Sequence, residues 1–186
     1  MESAETDNGT RSTIYRIDGD DRFVYVNEEW HRFAAQNDAS PALNKILGKS
    51  IWDYISGRET GELYRMLLQR VRTFSATVEF EFRCDSPTVR RYMRMTILPR
   101  RFRQISFVCV IQNEVAKVPP LPLASELQGR IKICSLCNKI QVNEEWLEVE
   151  DAVNASGLMS SAALPGLTYG VCTSCHDNAR SLLHGP

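Results

Sequence analysis

The 186-residue sequence has no apolar run able to cross a bilayer as a helix. Its longest stretches, such as Phe107-Val108-Cys109-Val110-Ile111, have the length of a buried strand, far short of the roughly 20 residues a spanning helix needs. The N-terminal MESAETDNGTR lacks the basic start and the apolar segment of a secretory signal, so a cytoplasmic protein is expected. Catalytic signatures are missing too. No phosphate-binding glycine loop, nucleophile elbow or metal-hydrolase motif occurs, and the expectation is a protein that is not an enzyme. Charge of one sign is not in excess, since 22 Lys and Arg face 23 Asp and Glu for a net charge of −1. With no helix that reads as a recognition element, specific DNA binding is not expected, and neither is a membrane partner.

What the chain does have is cysteine in an ordered pattern. Of its six, Cys84 and Cys109 stand alone, while Cys134, Cys137, Cys172 and Cys175 form two C-x-x-C pairs with 34 residues between them. The second pair continues into His176, and C-x-x-C-H suits covalent haem attachment, a metal knuckle or an exchangeable disulfide. A reducing cytoplasm disfavours the first and last of these. Haem at Cys172 and Cys175 would also leave Cys134 and Cys137 unexplained. Tetrahedral zinc takes four thiolates, two from each turn, and four thiolates leave no open catalytic position, so the expected cofactor is one structural Zn2+. The insertion exceeds the usual spacing of about 15–20 residues. It carries an expected helix near Trp146–Val153 and a return through Pro165 and Gly170, and Trp146, Leu147, Val149 and Val153 are expected to pack beside the metal. A thiol/zinc redox sensor is the alternative, and a haem sensor a weaker one. His176 could displace one cysteine but reads rather as a surface group or one beside the ligands, and His184, close to the chain end, is a weaker candidate still.

Pro119-Pro120-Leu121-Pro122 cannot continue a helix and marks a boundary. The expected division is a 1–11 extension, a 12–117 domain, a 118–129 linker and a 130–186 zinc module. In the first domain, Ile14–Ile17 and Phe23–Val26 flank a turn at Asp18-Gly19-Asp20-Asp21 as a hairpin. Asn27 reads as the cap of a helix carrying Trp30, Phe33 and Ala34. A short turn at Gly48–Ile55 follows, then a long helix with capping-box spacing at Ser56 and Glu59 and a stripe of Leu63, Leu67, Val71 and Phe74. Val78, Phe80 and Phe82, then Met93, Met95 and Ile97, alternate with polar residues as half-buried strands, and 105–111 reads as a fully buried central strand. Two strands, several helices and three strands predict an α+β fold, an antiparallel sheet with helices on one face.

That order, with Tyr25-Val26-Asn27, Gly48-Lys49-Ser50-Ile51-Trp52-Asp53 and Phe82-Arg83-Cys84-Asp85-Ser86-Pro87, resembles bacterial sensory PAS domains over residues 12–114. The segment with both C-x-x-C pairs is similar to cysteine-rich tails on some PAS signalling proteins. The resemblance implies a five-stranded antiparallel sheet, a homodimer formed through residues 1–13 or the outer sheet face, and a signal passed to a separate protein such as a kinase or regulator. It also implies a pocket for a small molecule, for which Trp30, Phe33, Trp52, Tyr54 and Cys109 are the candidate lining, with core packing the plainer reading of each. The reactive cysteine motif of light-sensing flavin domains is absent. The long helix has no histidine to ligate haem, and His31 reads as exposed.

Residues 83–103 hold seven arginines, Arg83, Arg90, Arg91, Arg94, Arg100, Arg101 and Arg103, against one acid, Asp85. Such an excess fits an acidic partner or phosphate, although a solvated strand face accounts for it more simply.

Overall fold

The computed structural model describes residues 12–36, 45–86, 88–117, 124–125, 130–156, 160–161 and 166–183. The Pro119–Pro122 hinge, residues 1–11 and His184 lie outside them. Alternation sets the first hairpin. In β1 (Ser12–Ile17) Thr13, Tyr15 and Ile17 turn inward, and β2 (Phe23–Val26) pairs back antiparallel. The turn closes on one carboxylate: Asp18 Oδ1 accepts the amides of Asp20 and Arg22, each at 2.9 Å. Asn27 caps α1 (Glu28–Gln36) by accepting the Trp30 amide at 3.0 Å, and it ties the cap to β1 through Ile14 N–H and the Ser12 carbonyl.

A short 3-10 turn at Ile51–Asp53 leads into α2 (Arg58–Phe74). The helix begins after Gly57, which makes no side-chain cap, so the Ser56–Glu59 capping box does not form. Glu59 is instead taken by a partner more than seventy residues away, Lys132 at 3.0 Å. Leu63, Leu67, Leu68 and Val71 form the buried face, while Phe74 at the helix end stays 69% exposed.

Strands β3 (Val78–Arg83), β4 (Val89–Pro99) and β5 (Ile105–Ala116) complete a five-stranded antiparallel sheet ordered β2-β1-β5-β4-β3. One inward row crosses four strands as Tyr15, Phe107, Ile97 and Val78, each buried. The expectation of a fully buried β5 is corrected. Ile105, Ser106, Phe107 and Cys109 are buried, but Val108, Val110 and Ile111 are half-exposed, because the second sheet face carries no helical layer among the described residues.

Further on, β6 (Ala124–Ser125) pairs with β10 (Ser160–Ser161). Strands β7 (Arg130–Cys134), β8 (Ile140–Val142), β9 (Glu145–Leu147) and β11 (Gly166–Gly170) form a second sheet, ordered β11-β7-β8-β9. Helix α3 (Val149–Ser156) lies between β9 and β10, and α4 (Thr173–Leu183) follows β11. Trp146 therefore sits on a strand, not in the helix expected there. Leu147, Val149 and Val153 pack around Ile140 and Ala152.

The 12–117 domain and the cysteine segment share one core. The cluster holding Leu63, Leu67, Val71 and Phe107 continues into Cys134, Leu136, Cys172 and Ala179, with Trp146 packed against it. Strand β3 joins in through its backbone, the Arg83 amide donating to the Leu136 carbonyl at 2.6 Å.

Candidate metal centre

The two C-x-x-C turns meet because β7 and β11 run parallel, with Cys134 and Gly170 in register. Both strands therefore end at the same edge, where each releases one cysteine pair. After β7 the chain turns tightly: the Asn138 amide donates to the Cys134 carbonyl at 2.9 Å, the Cys134 amide to the Lys139 carbonyl at 2.8 Å, and Asn138 takes a positive φ of 59°. After β11, Cys172 immediately precedes α4 and Cys175 lies in its first turn.

The four sulfurs lie within 4.8 Å of one another, and Cys137 Sγ is 3.7 Å from Cys172 Sγ. A tetrahedral ion with bonds of about 2.3 Å needs sulfurs about 3.8 Å apart, so the set fits a four-thiolate metal. Amide donors already address it, Cys172 N–H to Cys134 Sγ at 3.3 Å and Cys175 N–H to Cys172 Sγ at 3.5 Å. The positive end of α4 adds to the field favouring thiolate. Hydrogen bonds from the Cys137 and Cys175 thiols hold Cys134 far below an ordinary thiol, outweighing its burial. The protons stay with the donors: bonding to Cys134 pushes Cys137 up to about 12, and bonding to Cys134 and Cys137 raises Cys175 further. A divalent cation bound here would take the place of those shared protons as the positive partner.

Cys134 and Cys172 are buried, whereas Cys137 and Cys175 are half-buried and line a 460 Å³ groove with Trp146, Lys139 and Glu145. His176 stands outside the set with its side chain 53% exposed, 3.5 Å from Asp177. His31 is exposed on α1. Cys84 is half-buried, its thiol raised mainly by burial, and burial pushes Cys109 up to about 12, as befits a neutral core group.

The candidate pocket residues occupy several places. Trp30 meets Tyr15 edge-on at 5.2 Å, and Tyr15 stacks on Phe107 at 4.5 Å, so rings fill the space between α1 and β5. Tyr54 meets Phe23 at 5.7 Å and lines, with Ser135 and Tyr169, a 350 Å³ groove between the halves. Phe33 lies under the Arg91 guanidinium, 5.6 Å away. Trp52 belongs to a different groove, where its indole N–H donates to Asp21 at 2.9 Å.

Four of the seven arginines of the 83–103 segment form internal pairs. Arg83 binds Asp85 and Glu148, Arg90 binds Glu150 at 2.9 Å, Arg91 binds Glu114 at 2.8 Å, and Arg94 faces Glu79 and Glu81. Glu148 and Glu150 belong to the cysteine half, so Arg83 and Arg90 fasten the two halves together. On the α2 side the fastening is Glu59, which accepts from Lys132 and from the Val171 amide at 3.1 Å, and Thr60, whose hydroxyl lies 2.8 Å from that of Ser135. Sequence reasoning singles out Arg83, Arg90 and Glu59 but gives none of them these partners.

The chain matches no protein-family model and no curated protein.

Proposed function

We propose that the chain is a non-catalytic, PAS-type signalling module that works by binding in the cytoplasm, with a structural zinc held by Cys134, Cys137, Cys172 and Cys175. The observation that carries the metal reading is the convergence of four thiols from two parallel strand ends within 4.8 Å. The sheet order β2-β1-β5-β4-β3, with helices on one face, supports the PAS part. Zinc supplies thiolate bonds and, with them, folding free energy to a small segment. The chain's own residues do the rest: the Cys172 and Cys175 amides orient two sulfurs, and Leu136 and Trp146 pack beside them. Because rings occupy the space beside Trp30, the proposal favours binding of other proteins over a ligand held in the core, with a second copy meeting the half-exposed outer sheet face. Metal analysis of freshly reduced protein tests the centre: one zinc per chain is expected, and none would end the proposal.

A second reading is redox sensing, favoured by the half-exposure of Cys137 and Cys175 on the 460 Å³ groove. Two thiolates, one hydrogen peroxide and two protons would give one disulfide and two waters, and zinc would leave with its ligands lost. Stoichiometric zinc release at low peroxide, reversed by thiol reductant and added zinc, separates this reading from a purely structural site.

A further inference from the structure

A groove of 210 Å³ that shares no residue with the cysteine groove is lined by Asp21, Trp52, Arg65, Gln69, Arg72 and Arg103. Three guanidiniums line it against one carboxylate, and that carboxylate is engaged: Asp21 pairs with Arg72 at 2.7 Å and accepts the Trp52 indole N–H. Arg65 lies over the Trp52 ring at 4.6 Å and Arg103 packs its stem on Gly19, so both are held in place without a carboxylate partner among the described residues.

The turn that delivers Arg103 is strained. Phe102 and Arg103 take consecutive positive φ values of 57° and 60°, a conformation that costs any residue with a β-carbon. Burial does not compensate, because Phe102 is 90% exposed. What the conformation achieves is local: Arg72 holds the Arg103 carbonyl at 3.3 Å and the Asp18 carbonyl at 2.8 Å, closing the turn onto the β1–β2 hairpin with the Arg103 side chain along the groove. Positive φ at both central residues is the geometry of the tight turn that joins β4 to β5, closed by the Gln104 amide donating to the Arg101 carbonyl at 3.2 Å, and that turn sets Arg103 beside the groove.

We propose that this groove binds a small phosphate-bearing anion of pyrophosphate size, gripped by Arg65 and Arg103 and positioned by Arg72, with Gln69 and Thr73 as neutral hydrogen-bonding groups. Guanidinium forks match phosphate oxygens in pairs. The volume is below the roughly 300–1,000 Å³ of pockets that enclose larger organic ligands, which favours the anionic group itself as the recognised part. The reading is independent of the metal centre.

The test is calorimetric titration of the full chain with sodium pyrophosphate, with sulfate in parallel. Saturable binding is expected for pyrophosphate, weakened about tenfold or more by Arg65→Met, as loss of a charge-assisted contact implies, and unchanged by Arg94→Ala on the outer sheet face. Arg103→Gly is the decisive variant. It removes the cation and relieves the positive φ, so the melting temperature should rise by about 2–4 °C while binding falls. No saturable binding up to about 10 mM would overturn the proposal, as would affinity retained in Arg103→Gly or sulfate bound as tightly as pyrophosphate.

Discussion

Residues 12–117 bury Ile17, Leu67, Val71, Ile97, Ile105 and Phe107 completely, whereas residues 130–183 bury to that degree only Cys134 and Ala152 among the described residues. The first set supplies large apolar side chains from a sheet and a long helix. The second contains one alanine and one cysteine of the four-thiol cluster. A segment with so little apolar surface needs cross-links or a host, and this one has a host and four thiols placed where a metal could link them. Its thiols converge on a metal geometry, and its Leu136, Cys172 and Ala179 extend the core of the other half. The sheet half stands on transfer of side chains from water. The cysteine half stands on what it borrows and, on the proposed reading, on coordination.

The sharpest way to break this asymmetry is to remove one ligand. Cys134→Ser should abolish stoichiometric zinc and unfold much of 130–183, since apparent zinc binding in small sites amounts to about 10–16 kcal/mol. The melt of the sheet half should persist at lower temperature. Far-ultraviolet dichroism with zinc analysis reads both.

Cutting the joint comes next. Arg83 has a side chain only 6% exposed, and although burial works against its charge, its hydrogen bonds to Asp85 and Glu148 outweigh that cost and keep the pKa above its ordinary value. Arg83→Ala leaves the buried Asp85 to Lys117 and the Arg91 amide and should cost about 3 kcal/mol, read as a shift in urea midpoint at unchanged zinc content. Gly57 has φ of 87°, and a β-carbon there would lie 2.6 Å from the Tyr169 carbonyl oxygen, so Gly57→Ala should push α2 off β11. Strain and clash together make a loss of about 2 kcal/mol the expected result in the same assay.

The smallest effect concerns pH. Lys132 and the Val171 amide hold the Glu59 carboxyl below its ordinary range. For Asp85 burial acts upward, but hydrogen bonds from Arg83 and Lys117 win, and its pKa is lowered as well. Lowered folded values mean that the stabilisation is present above the unfolded carboxylate pKa of about 4 and is lost as pH falls through the folded values. Both groups bridge or brace the two halves. Stability measured from pH 6 down to about pH 2 should therefore fall below about pH 4, with Glu59→Gln flattening part of the slope.

Much of the sheet half is legible in the sequence because its signals are local. Thr13, Tyr15 and Ile17 alternate, Asn27 caps three residues on, and Leu63, Leu67 and Val71 recur at helical spacing. The four candidate ligands are legible from their paired spacing, and the fold brings all four sulfurs together. Long-range pairing is not legible. Nothing in Arg130–Cys134 announces that its parallel neighbour is Gly166–Gly170, and nothing in Arg83 or Arg90 announces partners at Glu148 and Glu150. Glu59 misleads for the same reason, since three residues after a serine it has the spacing of a cap while its partners lie beyond residue 130. Trp146 reads as helical because apolar residues recur around it, yet the Asn143 turn, with φ of 54°, makes a hairpin of the segment.

Hydrogen exchange of the full reduced chain, with and without a zinc chelator, tests most directly the claim that a metal-dependent half is fastened to a self-sufficient one. On chelation, protection should fall throughout 130–183 and also in the first turns of α2 and at the Arg83 end of β3, where the joint lies, while the centres of β1, β4 and β5 keep theirs. Protection unchanged in 130–183, or lost equally in every strand of the five-stranded sheet, would contradict it.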